Sequence, residues 1–442
     1  MVIMIIGVIL LFGIIAVVTL LLLVEDVSDS SQDTEVDFGG EAGGSTSGSG
    51  ASVQVPSRVG GTGGNRQPGG VLDPPPVSVV LVTPRPRPSG AEVICTVGSF
   101  ALFDYMYPPD KLCNYLFYTD ATVVNGSLHG VEGDASWKQF KAHMKTYTMT
   151  EGGISFDARY LDPHMLQHVQ QELANLAADN IKHYGFLKVL GRLNRIDVYL
   201  LTAILALKKL KTQASDASRR LVLAIGFYDY NEPNAWERYG SAIKEAVEKT
   251  EADTVIAISS TGWIENLQTC LSAPTSVFDS KRLTDPQRTA AKSYPDLNTH
   301  ADLVDSRYSK RTTKLGLSLE MGTLVYVLNA YETDLDNRAY QPCKNFYLAQ
   351  SDVMGCRHST TSTLLPGGIK IASPFTDEKI LFSWEDDESF KDKLDALRKS
   401  GKLRAGWSWL LYNVHLGDFT GNCTADPFER VRFFKQRLNA SG

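Results

Sequence analysis

The first 57 residues of this 442-residue chain contain no lysine and no arginine, and the first 94 contain no cysteine. Basic residues therefore cannot orient the apolar run that opens the chain, and no disulfide can tie that region down. Nowhere does a basic block interleave with aromatics, and 44 Lys and Arg stand against 50 Asp and Glu, for a net charge of −6. A nucleic-acid partner is thereby excluded as a leading reading. The six cysteines include no C-x-x-C pair, which argues against a zinc ribbon or a redox dithiol. No G-x-G-x-x-G follows the first strand-like run, and the folded region has no G-x-S-x-G elbow. His164 and His168 in "HMLQH" have i, i+4 spacing on a predicted helix face, but the glutamate of H-E-x-x-H and a third ligand are both missing. Neither a metal nor a cofactor is called for.

What is present begins with an apolar stretch. Residues 2–24 carry no charge, and at about 1.5 Å per residue such a helix crosses a hydrocarbon core of roughly 30 Å. Two readings stand: an uncleaved transmembrane anchor, favoured by the length and the missing basic n-region, or a cleaved signal sequence. Residues 25–90 are acidic, then Gly/Ser-rich, then proline-rich, as in "DPPPVSVVLVTPRPRPSG", and predict a disordered spacer. An even number of dispersed cysteines and the sequons at Asn125, Asn422 and Asn439 place residues 91–442 outside the cytosol, at the cell surface or secreted.

From residue 91 strand and helix patterns alternate. "EVICTVGS", "LCNYLFYTDATVV", "GGISFDARY", "LKVL", "RLVLAIGFYDY", "DTVIAISS", "KLGLSLEMGTLVYVL" and "RAGWSWLLYNVHL" read as strands. "SWKQFKAHMKTYT", the long "PHMLQHVQQELANLAADNIKHYG", "DVYLLTAILALKKLKTQ", "NAWERYGSAIKEAVEKT" and "ESFKDKLDALRKSG" read as helices. Fully apolar strands such as "LVLAIGF" suit a parallel sheet buried on both faces. The pattern predicts an α/β (β/α)8 TIM barrel with insertions, over a doubly wound open sheet as the alternative.

Two terminal fragments resemble one family. Residues 384–423, "WEDDESFKDKLDALRKSGKLRAGWSWLLYNVHLGDFTGNC", are similar to the closing strand-and-helix unit of glycoside hydrolase family 18, the chitinases and chitinase-like proteins. Asp386, Asp387, Ser389 and Lys393 fit its helix, and Asp418, Phe419, Gly421 and Cys423 fit its close. Residues 93–118 resemble the family's first two strands. The resemblance implies disulfides Cys95–Cys113 and Cys356–Cys423, leaving Cys270 with Cys343.

Between these landmarks the family's fourth strand reads G-F-D-G-x-D-x-D-W-E, whose last residue is the general acid. Here "GFLKVLGRLN" puts Leu187, Leu190, Arg192 and Asn194 at the acidic positions, and residues 181–196 contain no Asp or Glu. Asn194 has no proton to donate. The family's M-x-Y-D on its sixth strand appears as Ile258-Ser259-Ser260-Thr261, and its S-x-G-G as Ser155-Phe156-Asp157-Ala158. The tryptophan that floors the sugar site falls on Tyr412. The resemblance thus implies a catalytically inactive chitinase-like protein with lectin-like binding of chitin, chito-oligosaccharides or other N-acetylglucosamine-containing glycans. Tyr228, Asp229, Tyr230, Trp263 and Tyr412 are the ligand-binding candidates. Two alternatives stay open: an ectodomain whose barrel is a scaffold for a protein partner, and an active glycosidase using other carboxylates such as Asp229, Glu232 or Glu320.

Overall fold

The computed structural model describes residues 91–439 except 213–217, 251, 264–268, 306–312, 331–333, 351–359, 367, 375–378, 405 and 420–424. The apolar segment 2–24, the spacer 25–90, the Cys356–Cys423 pair and Asn422 lie outside the described residues. Among those described, no helix is long and apolar enough to cross a membrane.

The chain runs β1 (Glu92–Val97), β2 (Tyr115–Val124), β3 (Ser127–Gly130), α1 (Asp134–Met144), β4 (Glu151–Phe156), α2 (Gln170–Ala178), β5 (Ile181–Gly191) and α3 (Ile196–Thr212). It continues through β6 (Leu221–Phe227), α4 (Ala235–Lys249), β7 (Thr254–Ala257), α5 (Asp285–Ala291), α6 (Leu297–Asp305) and β8 (Lys314–Glu320). Then come β9 (Thr323–Leu328), β10 (Cys343–Ala349), β11 (Thr360–Leu365), β12 (Ile369–Pro374), β13 (Ile380–Trp384), α7 (Asp387–Lys399), β14 (Ser408–Tyr412) and α8 (Glu429–Asn439). Strands β1, β2, β4, β5, β6, β7, β8 and β14 are parallel neighbours in that order, and β14 pairs with β1 from Glu92↔Ser408 to Cys95↔Leu411. The sheet closes on itself. This is the eight-stranded parallel TIM barrel.

Strand alternation sorts the side chains into two layers. Ile94, Tyr115, Phe117, Leu187, Leu190, Val222, Ala224, Ile256, Ile258, Leu410 and Tyr412 form an inner cluster. Leu221, Leu223, Ile225, Val255, Ala257, Trp409 and Leu411 belong to the larger cluster shared with the helices. Trp409 packs edge-on against Phe434 of α8 with centroids 5.2 Å apart. Burying each such side chain contributes about 1.5–3 kcal/mol. Gly153 is required inside: a Cβ there would lie 2.5 Å from the ring of Phe117.

Between β8 and α7 the chain builds a second, antiparallel sheet in the order β10-β9-β13-β12-β11. Cys270 is bonded to Cys343 at the start of β10, and Cys95 of β1 is bonded to Cys113 ahead of β2. "KLGLSLEMGTLVYVL" is therefore two strands rather than one, because the chain leaves the barrel at Met321-Gly322 and β9 pairs with β10 and β13. The long predicted helix from residue 163 is likewise divided. Residues Pro163–Val169 form a 3-10 stretch capped by Asp162, α2 follows, and Ile181 already opens β5. At three residues per turn, His164 and His168 no longer share a face. Strand β7 ends at Ala257, so the Ile258–Thr261 run lies beyond it, in the loop at the barrel mouth.

Candidate functional site at the mouth of the barrel

The C-terminal ends of the barrel strands, where βα loops collect, enclose two adjoining cavities of about 240 and 550 Å³. Both are lined by Arg159, Leu190, Tyr228 and Trp263. The smaller also meets Asp120, Glu132, Asp157, Lys188, Asn413 and His415, and the larger Arg192, Asn194, Arg195 and Tyr199.

The floor is apolar. Leu187 is fully buried and Leu190 nearly so, both in the inner cluster. Tyr412 is also fully buried; its hydroxyl donates to the Leu187 carbonyl, and Trp263 covers it edge-on with centroids 5.3 Å apart. Tyr412 therefore supports the floor and does not face a ligand. Strand β5 ends at Gly191, so Arg192 and Asn194 project from the loop into solvent at the rim of the larger cavity.

Around this floor stand charged groups held in pairs. Lys188 Nζ lies 3.3 Å from Asp120 Oδ2, and Ser155 Oγ donates to Asp120 Oδ1 at 3.1 Å. Burial pushes the Asp120 carboxyl upward against the pull of Lys188, while the neighbouring carboxylates, Asp120 first, hold the Lys188 ammonium up against its burial. Arg159 grips Asp157 through Nε at 3.0 Å and Nη2 at 2.5 Å, and its own backbone N–H donates to the same carboxylate at 2.8 Å. Its guanidinium is held well above the ordinary arginine range, chiefly by its own side-chain hydrogen bonding to Asp157.

Glu320, at the end of β8, is fully buried. It accepts from the Gly322 amide at 2.9 Å, and Asn413 Nδ2 lies 3.0 and 3.2 Å from its two oxygens. A Cβ at Gly262 would fall 2.6 Å from Glu320 Oε2, so any other residue there would push on the carboxylate. Burial raises its pKa to about 8 despite the Gly322 and Asn413 hydrogen bonds and nearby Lys188.

The remaining candidates are dispersed. Tyr230 is buried outside the barrel among Phe227, Trp236, Tyr239 and His300, with His300 Nε2 3.2 Å from its hydroxyl. It does not line the groove, because β6 ends at Phe227 and the chain turns outward before Tyr230, whose ring joins the helix-side cluster. Asp229 accepts from the Asn231 amide at 2.8 Å in a local turn. Neither Asp229 nor Glu232 lines either cavity. Ser260 and Thr261 are buried, Ser260 Oγ lying 2.8 Å from Ser318 Oγ and the Thr261 amide donating to the Thr275 carbonyl at 2.7 Å. His164 Nδ1 is 3.2 Å from Lys209 Nζ, and no group of three or more His, Cys, Asp or Glu is placed to hold a metal among the described residues. Asn125 and Gly126 form the exposed turn of the β2–β3 hairpin with φ of 51° and 78°, and Asn439 ends α8.

The sequence reading missed Asp120, Arg159, Lys188 and Asn413. A lysine in the otherwise apolar middle of "GFLKVLG" was the available signal: a cation in a buried strand requires a partner.

No protein-family model and no curated protein matches the chain. Solved structures do. Human YKL-39, described as a pseudo-chitinase with retained chitooligosaccharide binding properties, superposes with a TM-score of 0.55 at 13% identity over 79% of this chain and 100% of its own. A chitinase from Trichuris suis gives a TM-score of 0.53 at 12% identity over 79% and 100%. Chitinase ChiA74 from Bacillus thuringiensis gives 0.54 at 11% over 79% and 70%. The fold is the chitinase-like barrel.

Proposed function

We propose that this chain is a non-hydrolytic chitinase-like protein that binds N-acetylglucosamine-containing oligosaccharides at the mouth of its barrel. Residues 1–24 act as an anchor or signal, 25–90 as a spacer, and 91–442 as an exoplasmic domain glycosylated at Asn125, Asn422 and Asn439. One observation carries the reading: Asn194 stands where the resemblance expects the general acid, and among the described residues the carboxylates of Asp120, Asp157 and Glu320 are already engaged. Both oxygens of Asp157 are held by Arg159, those of Asp120 by Ser155 and Lys188, and Glu320 is sealed under Gly262. A general acid needs a proton within reach of the leaving oxygen. The fold supports the same reading, since it is shared by chitinases and by a pseudo-chitinase that binds chitooligosaccharides.

Tyr228 and Trp263 present half-buried rings to both cavities and supply the apolar faces on which a sugar ring stacks. The test is calorimetric titration of the full chain with chitohexaose, with product analysis of the same mixture. Binding without cleavage is expected, with Trp263→Ala weakening it about tenfold through lost ring burial. Cleavage refutes the non-hydrolytic assignment. If nothing binds, the scaffold reading takes over, and its surface is the exposed run Phe100, Leu102, Phe103 and Tyr105, where Phe103 and Tyr105 stack 5.3 Å apart.

A further inference from the structure

The charged side chains of the smaller cavity are engaged within the protein: Asp120 with Lys188, Asp157 with Arg159, and Glu132 with the Ser99 hydroxyl. One neutral group is not. Of the buried side-chain nitrogen and oxygen atoms that find no hydrogen-bond partner among the described residues, His415 Nδ1 is the one on a residue lining the barrel mouth. Others, such as the Trp137 and Trp409 indoles, sit in the packed layer between strands and helices, away from either cavity. A buried polar atom without a partner destabilises a fold. At a cavity wall, the missing bond is one that a ligand can supply.

The turn after β14 fixes this ring in place. Asn413 takes a φ of 56°, and its amide donates to Thr96 Oγ1 at 2.9 Å. Val414–Leu416 then close a 3-10 turn in which His415 is 1% exposed. Burial and nearby Lys188 keep the imidazole neutral, its pKa lowered to about 3 against the pull of a hydrogen bond to the Thr96 backbone. A neutral imidazole has one N–H and one lone pair. Because Nδ1 has no partner, the Thr96 contact belongs to Nε2, which carries the proton and leaves Nδ1 a bare acceptor. A hydroxyl or an amide N–H satisfies such an atom; a carboxylate or a sulfate does not.

The space before the ring is small. A Cβ added at Gly98 would lie 3.6 Å from His415 Cε1 and 3.1 Å from the Thr119 carbonyl oxygen, and Gly98 and Thr119 line the same cavity of about 240 Å³. That is less than the roughly 300–1,000 Å³ of a pocket for a drug-sized ligand, and suits a single sugar ring.

Resting on the glycan-binding reading above, we infer that the smaller cavity seats one sugar ring of the ligand and that His415 is its specificity-determining residue, Nδ1 accepting a hydrogen bond from a hydroxyl or acetamido N–H of that ring.

The experiment is calorimetric titration of the full chain with chitohexaose, comparing wild type with His415→Asn, His415→Gln and His415→Phe, with a thermal melt of each ligand-free protein. An asparagine amide reaches the place of Nδ1, and a glutamine amide the place of Nε2. His415→Phe and His415→Gln should each bind about fivefold or more weakly, the loss of one neutral hydrogen bond. His415→Asn should stay within about twofold of wild type, because its side-chain oxygen restores the acceptor. A histidine that only holds the turn through Thr96 gives the reverse order, with glutamine near wild type and asparagine impaired both in binding and in melting temperature. That order overturns the inference, and so does equal binding, or equal impairment, of the asparagine and glutamine variants. If His415→Phe does not fold, the asparagine–glutamine order decides alone. Each of these outcomes leaves the glycan-binding reading standing, since wild type still binds. Failure of wild type to bind overturns that reading and this inference with it.

Discussion

Replacing Glu320 with glutamine stabilises this protein at neutral and alkaline pH. The carboxyl is fully buried at the end of β8, and burial raises its pKa from 4.5 to about 8. Between those values the folded chain keeps a proton that the unfolded chain has released. Rising pH therefore favours unfolding across this window: the contribution is intact below about 4.5 and is lost as pH approaches 8. At about 1.36 kcal/mol per pH unit, the interval caps the effect at roughly 5 kcal/mol, and a realised gain of about 2–4 kcal/mol is expected. Glutamine keeps the acceptor that the Gly322 amide uses, and Asn413 can turn its amide to present oxygen to the new NH2 group. Urea unfolding of both chains followed by tryptophan fluorescence from pH 5 to pH 8 measures the gap. It should stay below about 1 kcal/mol at pH 5 and open steadily to pH 8. His300 and His415, held neutral by burial at about 4 and about 3, pull wild-type stability the opposite way on acidification, but they titrate in both chains and cancel in the difference. Parallel curves, or a variant less stable at pH 8, would refute the argument that burial governs this carboxyl.

Lys393→Met should cost about 3–5 kcal/mol, because it strands Glu385, whose oxygens lie 2.6 Å from Lys393 Nζ in a fully buried site. Thr275, Ser276 and Ser389 hydroxyls complete that site, so Glu385→Gln/Lys393→Met should recover part of the loss in the same urea assay. Asn194→Glu should not restore hydrolysis of a chromogenic chitobioside, since an exposed carboxyl at residue 194 lacks the burial that raises a catalytic acid, and Leu187 and Leu190 still floor the cavity. Turnover above the buffer blank in that variant would show the site to be more nearly complete than its geometry allows.

The barrel was legible because its strands are apolar on both faces and alternate with amphipathic helices; Leu221–Phe227 and Ala235–Lys249 show the two periods side by side. The second sheet was not legible. Its first strand continues the hydrophobic run of β8, and only Met321-Gly322 marks the change from parallel to antiparallel pairing. The helix predicted from residue 163 failed for a local reason: Pro163 and the Asp162 cap favour a tight turn that runs 3-10 before α2 begins. In the site, Trp263 reaches the mouth from the loop beyond β7, and Tyr228 lines it because it follows β6 directly. Tyr230, two residues on, was assigned to the same groove, although the chain has by then turned outward and its ring packs under α4. The pairs Asp120–Lys188 and Asp157–Arg159 join residues on separate elements or across a turn, and periodicity carries no information about which charges meet.

Those pairs bear on the non-hydrolytic reading proposed above. Charges taken out of water are retained at low cost only when matched and hydrogen-bonded. At this mouth each central carboxylate has its own cation or amide, and the inner wall at Leu187 and Leu190 is hydrocarbon. A pair satisfied within the protein makes a rigid wall whose oxygens are already committed, which is what the proposed non-hydrolytic reading needs. The rings of Tyr228 and Trp263 line the mouth beside these pairs, and in the reading proposed above they bind a sugar by apolar contact. Substituting Lys188 with methionine separates the two roles of the wall. It would leave Asp120 beside the cavity with only Ser155 as a side-chain partner, and a site built for binding should then lose stability and ligand affinity together without gaining turnover.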